Sequence, residues 1–327
     1  MHFAIKEING KKYHYASDYI YIAKGKTKLK NKSLGELDTP LEEAANKLID
    51  FKNQVIVEEV EERKKYWSPK VKNKKAFKFG TLESIEELRS KLKRGKEALD
   101  RFGQNGLEAA FSTDFIYNSN KLEGSRVPRK TIENIIRKGG KSNDEVTNSL
   151  EALAFVREAK NLFAVRNITK LHRILLAHEP SKHGTRKEPI IVGNSETLSF
   201  EKIPDALNEL LAWLKKMNHK MYPPELAFEF YYRFERIHPF KDGNGRTGRL
   251  LMNRILEKHH YHPTIIWDNN RVAHMAAFEK AIDGHMHKYL NFMSEQMKIS
   301  YDIYLKKTQK AAEIEKSINE TFFTPSR

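Results

Sequence analysis

The 327-residue sequence contains no cysteine. Disulfides, thiolate metal ligands and a thiol nucleophile are therefore excluded, and stability must come from a packed core. No apolar run reaches membrane-spanning length. The stretch Met1–Asn9 lacks the charged-then-apolar order of a secretion signal. The expectation is a cytoplasmic protein without membrane contact. Acidic residues are also short: 43 Asp and Glu stand against 59 Lys and Arg, a formal charge of +16. Such a surface attracts nucleotides, acidic proteins or nucleic acid, although a lysine-rich proteome yields the same balance. Hydrophobic residues make up 39% of the chain, enough for a real core.

The most informative stretch is His238-Pro-Phe-Lys-Asp-Gly-Asn-Gly-Arg-Thr-Gly-Arg249. His238 can act as acid or base near neutral pH. Asp242 is a hard oxygen ligand of the kind Mg²⁺ prefers. Gly243, Asn244 and Gly245 allow a tight turn whose N–H groups converge on an anion. The residues from Asn244 to Glu257 place Leu250, Leu251 and Ile255 at helical spacing. The turn therefore opens a helix, whose N-terminus attracts phosphate. Arg246 and Arg249, three apart, share one face of its first turn. Base, metal ligand, phosphate cradle and two cations in this order describe a nucleotide-phosphate site.

A second stretch, Ser119-Asn-Lys-Leu-Glu123-Gly124, ends a helix that starts near Asn105 and buries Phe111 and Phe115. Gly124 is a C-cap residue. Glu123 then sits at the negative end of the helix dipole, where a carboxylate gains by meeting an arginine from another element.

Elsewhere the pattern predicts strands over residues 1 to 38, with Asn9-Gly10 as a hairpin turn. A helix starts at Thr39-Pro40 and runs towards Glu62, and another spans Thr81 to Arg101. Between them, residues 63 to 78 are strongly basic, with Tyr66, Trp67, Phe77 and Phe79 interleaved. That mixture can bind single-stranded nucleic acid, but a solvated connector whose aromatics dock on the core is preferred. Ile190, Ile191 and Val192, bounded by Pro189 and Gly193, read as a strand. Helices follow over Ile203–Met217, from Pro223-Pro224 to Ile237, over Asn270–Asp283 and over Met286–Lys298. A separate charged helix frays from Lys306 onward. His259, His260, His262, His285 and His287 lack acidic or thiol partners in register and are expected on the surface, without a metal.

The stretch His238–Arg249 resembles the Fic (Fido) family signature H-x-F-x-[DE]-G-N-G-R-x-x-R at every fixed position: His238, Phe240, Asp242, Gly243, Asn244, Gly245, Arg246 and Arg249. Ser119–Gly124 resembles that family's inhibitory pattern, [ST]-x-x-x-E-[GN]. The resemblance covers roughly residues 105 to 300. It implies a mainly α fold: a Fic-type helical bundle with a short β-hairpin flap. Around that core stand a small β-rich module at 1–38, a helical connector region at 39–104 and a charged tail at 301–327. The implied activity is protein adenylyltransfer, the movement of AMP from ATP to a Ser, Thr or Tyr hydroxyl, with ATP and Mg²⁺ as cofactors. His238 would be the base and Asp242 the metal ligand. Gly243, Asn244, Gly245, Arg246 and Arg249 would hold phosphates, and Ser119, Glu123 and Gly124 would form an inhibitory element acting on Arg249. Ile190, Ile191 and Val192 would belong to the flap that pairs with a target segment. The implied partner is an unidentified protein, or the chain itself, and a homodimer fits. The sequence departs from many relatives after Arg271, where Val272, Ala273, His274 and Met275 stand in place of tyrosines near the adenine. Two alternatives stay open. One is transfer or removal of another phosphate-linked group, including removal of AMP. The other is a nucleic-acid-binding regulator acting through the basic N-terminal region.

Overall fold

The chain opens as a meander. Asn9 and Gly10 both take positive φ, 53° and 77°, as a two-residue primed turn requires. They join β1 (His2–Ile8) to β2 (Lys11–Ala23), and Gly25 turns the chain into β3 (Lys26–Glu36). The three form an antiparallel sheet in the order β1-β2-β3. In the computed structural model, which describes residues 1–139, 143–192 and 195–322, nearly everything that follows is helical.

Eleven α-helices are described. Three come first: α1 (Leu41–Trp67), α2 (Phe79–Ala98) and α3 (Arg101–Leu122). Then follow α4 (Arg129–Lys138), α5 (Asp144–Glu158) and α6 (Val165–Leu175). A short hairpin, β4 (Ile191–Val192) with β5 (Ser195–Glu196), precedes α7 (Ile203–Met217). Last come α8 (Pro223–Ile237), α9 (Asn244–Lys258), α10 (Arg271–Ile282) and α11 (Met286–Phe322). The expected mainly α architecture with a small N-terminal sheet is what forms.

Helix α8 is the axis of the bundle. Leu226, Ala227, Phe228, Phe230, Tyr231 and Phe234 are all buried, so apolar side chains face neighbours on most of its circumference. Helix α9 packs along it, with Leu250, Leu251, Met252 and Ile255 buried. The loop between Ile237 and Asn244 therefore joins the two most buried helices. A second, smaller apolar cluster joins Ala16, Ile20, Ile22 and Leu34 of the sheet to Phe51 and Val55 of α1. The basic stretch after α1 is docked on the bundle. Trp67 and Phe77 are buried, and the Glu225 carboxylate of α8 accepts from the N–H groups of Lys72 and Asn73 at 2.9 and 2.6 Å.

Two expectations need correction. The C-terminal helices are one element, α11, rather than two. Met297, Tyr301, Tyr304 and Thr308 are buried at helical spacing, so the apolar stripe carries the helix straight through to its charged end. His259 and His262 are not surface residues. His259 is buried and donates from Nε2 to Asn218 Oδ1 at 2.8 Å. The His262 ring packs edge-on to Phe111 and Tyr304. Among the described residues there is no His, Cys, Asp and Glu cluster able to hold a metal by itself, and no helix long and apolar enough to cross a membrane.

A buried ionic network ties the sheet to the bundle. Arg63 of α1 pairs with Glu86 of α2, and its Nη1 donates to the Ile22 carbonyl of β2 at 2.6 Å. Its Nη2 donates to Tyr261 at 2.7 Å. Arg89 bridges Glu86 and Glu59, and Arg94 bridges Glu59 and Asp18. Three arginines thus face three carboxylates; Arg63, Arg89, Glu59 and Glu86 are closed to water, and Arg94 and Asp18 continue the network towards the surface. Desolvation penalises each charge, so the arrangement is stable only when complete. Glu86→Gln leaves Arg63 and Arg89 short of a buried counter-charge and should cost about 3–5 kcal/mol. Urea denaturation of both proteins checks this; a loss below about 1 kcal/mol, as for an exposed pair, would contradict it.

Candidate active site

The loop begins where α8 stops. His238 is the C-cap residue and takes the left-handed conformation, φ 48° and ψ 62°. A non-glycine residue pays a strain cost there, so its surroundings must hold it in place. They do so through Arg186, whose Nε donates to the His238 carbonyl at 2.8 Å and whose N–H donates to the Pro239 carbonyl at 2.9 Å. Thr185 forms a β-bridge to Phe240. The segment leading into the β4–β5 hairpin is therefore stitched to the loop.

Asn244 closes the turn from within. Its Oδ1 accepts from Phe240 N–H at 2.9 Å and its Nδ2 donates to the Phe240 carbonyl at 2.8 Å. The side chain is thereby committed to the loop, and what Asn244 can offer an anion is its backbone N–H. Phe240 is buried and stacks on His172 of α6, with ring centroids 3.8 Å apart. His172 donates from Nε2 to the Asp242 carbonyl at 2.9 Å, and burial pushes its pKa down to about 4. Gly243 takes φ 74°, a conformation that only glycine adopts cheaply, and α9 starts at the next residue.

Asp242 lies beside this helix N-terminus. Its Oδ2 accepts from Lys182 at 2.8 Å, and Arg246 stands 3.5 Å from its Oδ1. Burial works to raise its pKa, but Lys182 and Arg246 prevail and lower it, so the carboxylate is ionised. Arg246 is on the first turn of α9 as expected. Arg249 is not; it lies on the second turn, almost fully buried at 3% exposure.

Glu123 caps α3, and Gly124 follows at φ 93°. The Glu123 carboxylate accepts from Arg249 Nη2 at 2.8 Å. Ser119, one turn earlier, accepts from Arg249 Nε through its hydroxyl at 3.0 Å and from Nη2 through its carbonyl at 2.8 Å. Tyr231 of α8 accepts from Nη1 at 3.2 Å. Burial works to lower the pKa of Arg249, but Tyr231 and Glu123 overcome it and raise it. The Glu123 carboxylate also crosses the first turn of α9. A Cβ built on Gly245 would meet Glu123 Oε1 at 2.1 Å. Glutamate thus occupies ground at a helix N-terminus, where an anion is favoured.

The His238 ring is mostly buried, which lowers its pKa, with the Glu235 carbonyl working in the other direction. At neutral pH it is an uncharged base. Sequence reasoning assembled His238, Asp242, Gly243, Asn244, Gly245, Arg246, Arg249, Ser119, Glu123 and Gly124, and the fold brings all of them to one end of α9. Ile190 precedes β4, where its carbonyl accepts from the Thr197 hydroxyl at 2.6 Å; Ile191 and Val192 form β4 itself. His172, Lys182, Arg186, Tyr231 and Glu235 were missed. Only Glu235 carried a local signal, standing three residues before His238 in the last turn of α8.

Residues 162–256 match the Fic/DOC family model. The chain is 29% identical over 237 residues to a protein adenylyltransferase Fic of Drosophila mojavensis, which covers 68% of this chain and 47% of that protein. It is 30% identical over 204 residues to the protein adenylyltransferase Fic of Aedes aegypti, covering 58% and 41%. The chain spans about half or less of the length of these curated relatives. Among solved structures, a Fic domain containing signaling protein from Bacteroides thetaiotaomicron matches with a TM-score of 0.63 at 22% identity, over 69% of this chain and 97% of that one. Fic-1 from C. elegans matches with a TM-score of 0.60 at 18% identity, over 84% and 95%. At these identities the structural likeness establishes the fold.

The His172 contact has a measurable consequence. Its folded pKa of about 4 lies below the ordinary value of 6.5. The folded state therefore binds fewer protons than the unfolded state between those values, and stability falls as pH drops through that window. One proton gives a slope of about 1.4 kcal/mol per pH unit. His259 and His274, each lowered by burial to about 3, act in the same direction, so a difference is needed. His172→Gln, which can still donate to Asp242, should flatten the stability profile between pH 6.5 and 4 by about one proton. Urea denaturation across that range checks it, and equal slopes would contradict it.

Proposed function

We propose, for a chain that carries a Fic/DOC domain, that it transfers AMP from ATP to a Ser, Thr or Tyr hydroxyl of a protein, itself included. The observation that carries this is the complete signature loop at the start of α9: an uncharged His238 on one side and an ionised Asp242 on the other. The relatives named protein adenylyltransferase Fic support the same chemistry.

The steps follow from the groups present. The first turn of α9 leaves N–H groups without helical partners, and these would receive the α-phosphate. Arg246 would hold phosphate oxygens beside them, and Arg249 the γ-phosphate. His238 would take the proton from the attacking hydroxyl through Nε2. The hydroxyl oxygen would bond to the α-phosphorus while the bond to the β-phosphate oxygen breaks and pyrophosphate leaves. Such transfer needs positioning and charge stabilisation more than covalent help. Asp242 fits Mg²⁺, which binds through one or two carboxylates with phosphate oxygens and water completing the shell. Lys182 would have to yield its contact. The ion would neutralise phosphate charge. The stretch Ile190–Val192, which includes β4, would pair with an extended segment of the target, since its hairpin is continuous with the Thr185–Arg186 contacts to the loop.

In the same reading Glu123 is inhibitory. While it holds Arg249, that arginine cannot also grip a γ-phosphate, and its carboxylate lies where a phosphate would approach.

The test uses the Glu123→Gly background, in which this restraint is absent, with α-labelled ATP and Mg²⁺. His238→Ala should abolish transfer and leave ATP binding intact, because no phosphate contact falls to the imidazole. Asp242→Asn should weaken ATP binding and transfer together. Loss of ATP binding in folded His238→Ala, or full activity in EDTA, would contradict the assignment.

A further inference from the structure

We propose that Glu235 is a positioning residue for His238: its carboxyl group faces the Nδ1 side of the imidazole and stabilises the imidazolium that forms when Nε2 accepts a proton. The inference rests on the transfer reading above.

Two neighbouring buried atoms lack hydrogen-bond partners among the described residues, His238 Nδ1 and Glu235 Oε1. The other carboxyl oxygen, Oε2, is 4.0 Å from that Nδ1. Glu235 lies in the last turn of α8 and His238 is that helix's left-handed C-cap, an arrangement that brings the two side chains together. Burying a carboxyl group without partners costs free energy, and an apolar side chain would fill the same space more cheaply. A group kept under those terms matches a neighbour whose charge changes during the reaction. The Glu235 carbonyl near the ring favours its protonated form. With Nδ1 turned to the Glu235 carboxyl group, Nε2 is the nitrogen left to face the attacking hydroxyl. The C-terminal end of α8 favours the resulting cation as well.

The surroundings explain why the carboxyl group is reserved. Tyr231 shares its helix, Glu123 approaches from α3 and Arg249 from α9, and His274 of α10 stacks on Tyr231. Arg249 spends its bonds on Ser119, Glu123 and Tyr231, and none goes to Glu235. Burial and the nearby Glu123 carboxylate raise the Glu235 pKa to about 8, against the pull of Arg249. In the resting chain a neutral acid thus faces a neutral imidazole. When Glu123 leaves, a negative charge leaves with it, and Glu235 ionises more readily. Release of the clamp and readiness of the base are thereby linked through one carboxyl group.

Glu235→Gln keeps the size but cannot ionise. In the Glu123→Gly background it should lower kcat by about ten- to a hundredfold, with the Kd for ATP unchanged by calorimetry. In nucleotide-free protein of the same Glu123→Gly background, labelled at histidine, NMR should show His238 titrating at lower pH in Glu235→Gln than in its parent. Glu235→Asp, which retains the charge, should keep more of kcat and a titration closer to the parent's. Unchanged kcat and an unchanged His238 titration would overturn the proposal. So would loss of ATP binding together with kcat, or an Asp variant as impaired as the Gln variant. The NMR titration needs no nucleotide. If the parent transfers no AMP at all, the transfer reading fails while this readout still decides the role of Glu235.

Discussion

An arginine side chain stays charged at any pH a folded protein meets, and Arg249 is almost wholly buried. Every structural feature around it answers that constraint. Its donors are met by Ser119, Glu123 and Tyr231, which come from two other helices. Helix α3 must therefore end at this spot, with Ser119 and Glu123 one turn apart on the facing side. The helix is fixed there by a second ionic anchor: Asp114 accepts from Arg129 at 2.8 Å, Tyr304 at 2.9 Å and Lys307 at 2.5 Å. A helix held at its middle and at its C-terminal end presents its terminal glutamate to a single partner.

The same geometry sets up a competition. The first turn of α9 is a natural anion site, and Gly245 has no side chain to block it. The space above Gly245 is taken by the Glu123 carboxylate. Glutamate gains twice there, from the guanidinium and from the helix dipole, and it escapes the negative end of its own helix. A phosphate would gain from the same two sources. The proposed clamp is thus a carboxylate standing in for a phosphate group. A charge-assisted hydrogen bond of this kind is worth about 1.5–3 kcal/mol, which corresponds to roughly ten- to a hundredfold in rate.

The sequence made the loop legible because its chemistry is contiguous: base, carboxylate, glycines and arginines fall within a dozen residues, at the start of a strongly periodic helix. Glu123 was legible because Gly124 marks a helix end. The residues that hold the loop in place were not. His172, Lys182 and Arg186 reach it from α6 and the segment after it, and nothing in their own neighbourhoods distinguishes them from other polar residues. Tertiary packing also decided the histidines. His259 and His262 sit in a charged, turn-like run that reads as surface, yet Asn218, Phe111 and Tyr304 from distant elements cover them. In α11 the buried tyrosines at 301 and 304 continued a helix that its charge pattern alone would have broken.

The competition at Arg249 can be measured directly. Wild type and Glu123→Gly are incubated with matched ATP and Mg²⁺, and the intact proteins are weighed by mass spectrometry over time. If Glu123 withholds Arg249 from the γ-phosphate, the glycine variant gains the mass of one or more AMP groups about ten to a hundred times faster than wild type. Adding Arg249→Ala to that variant then removes the gain, because the phosphate contact is lost with the clamp. Equal rates for wild type and Glu123→Gly would mean that Glu123 is an ordinary helix-end residue that happens to meet an arginine.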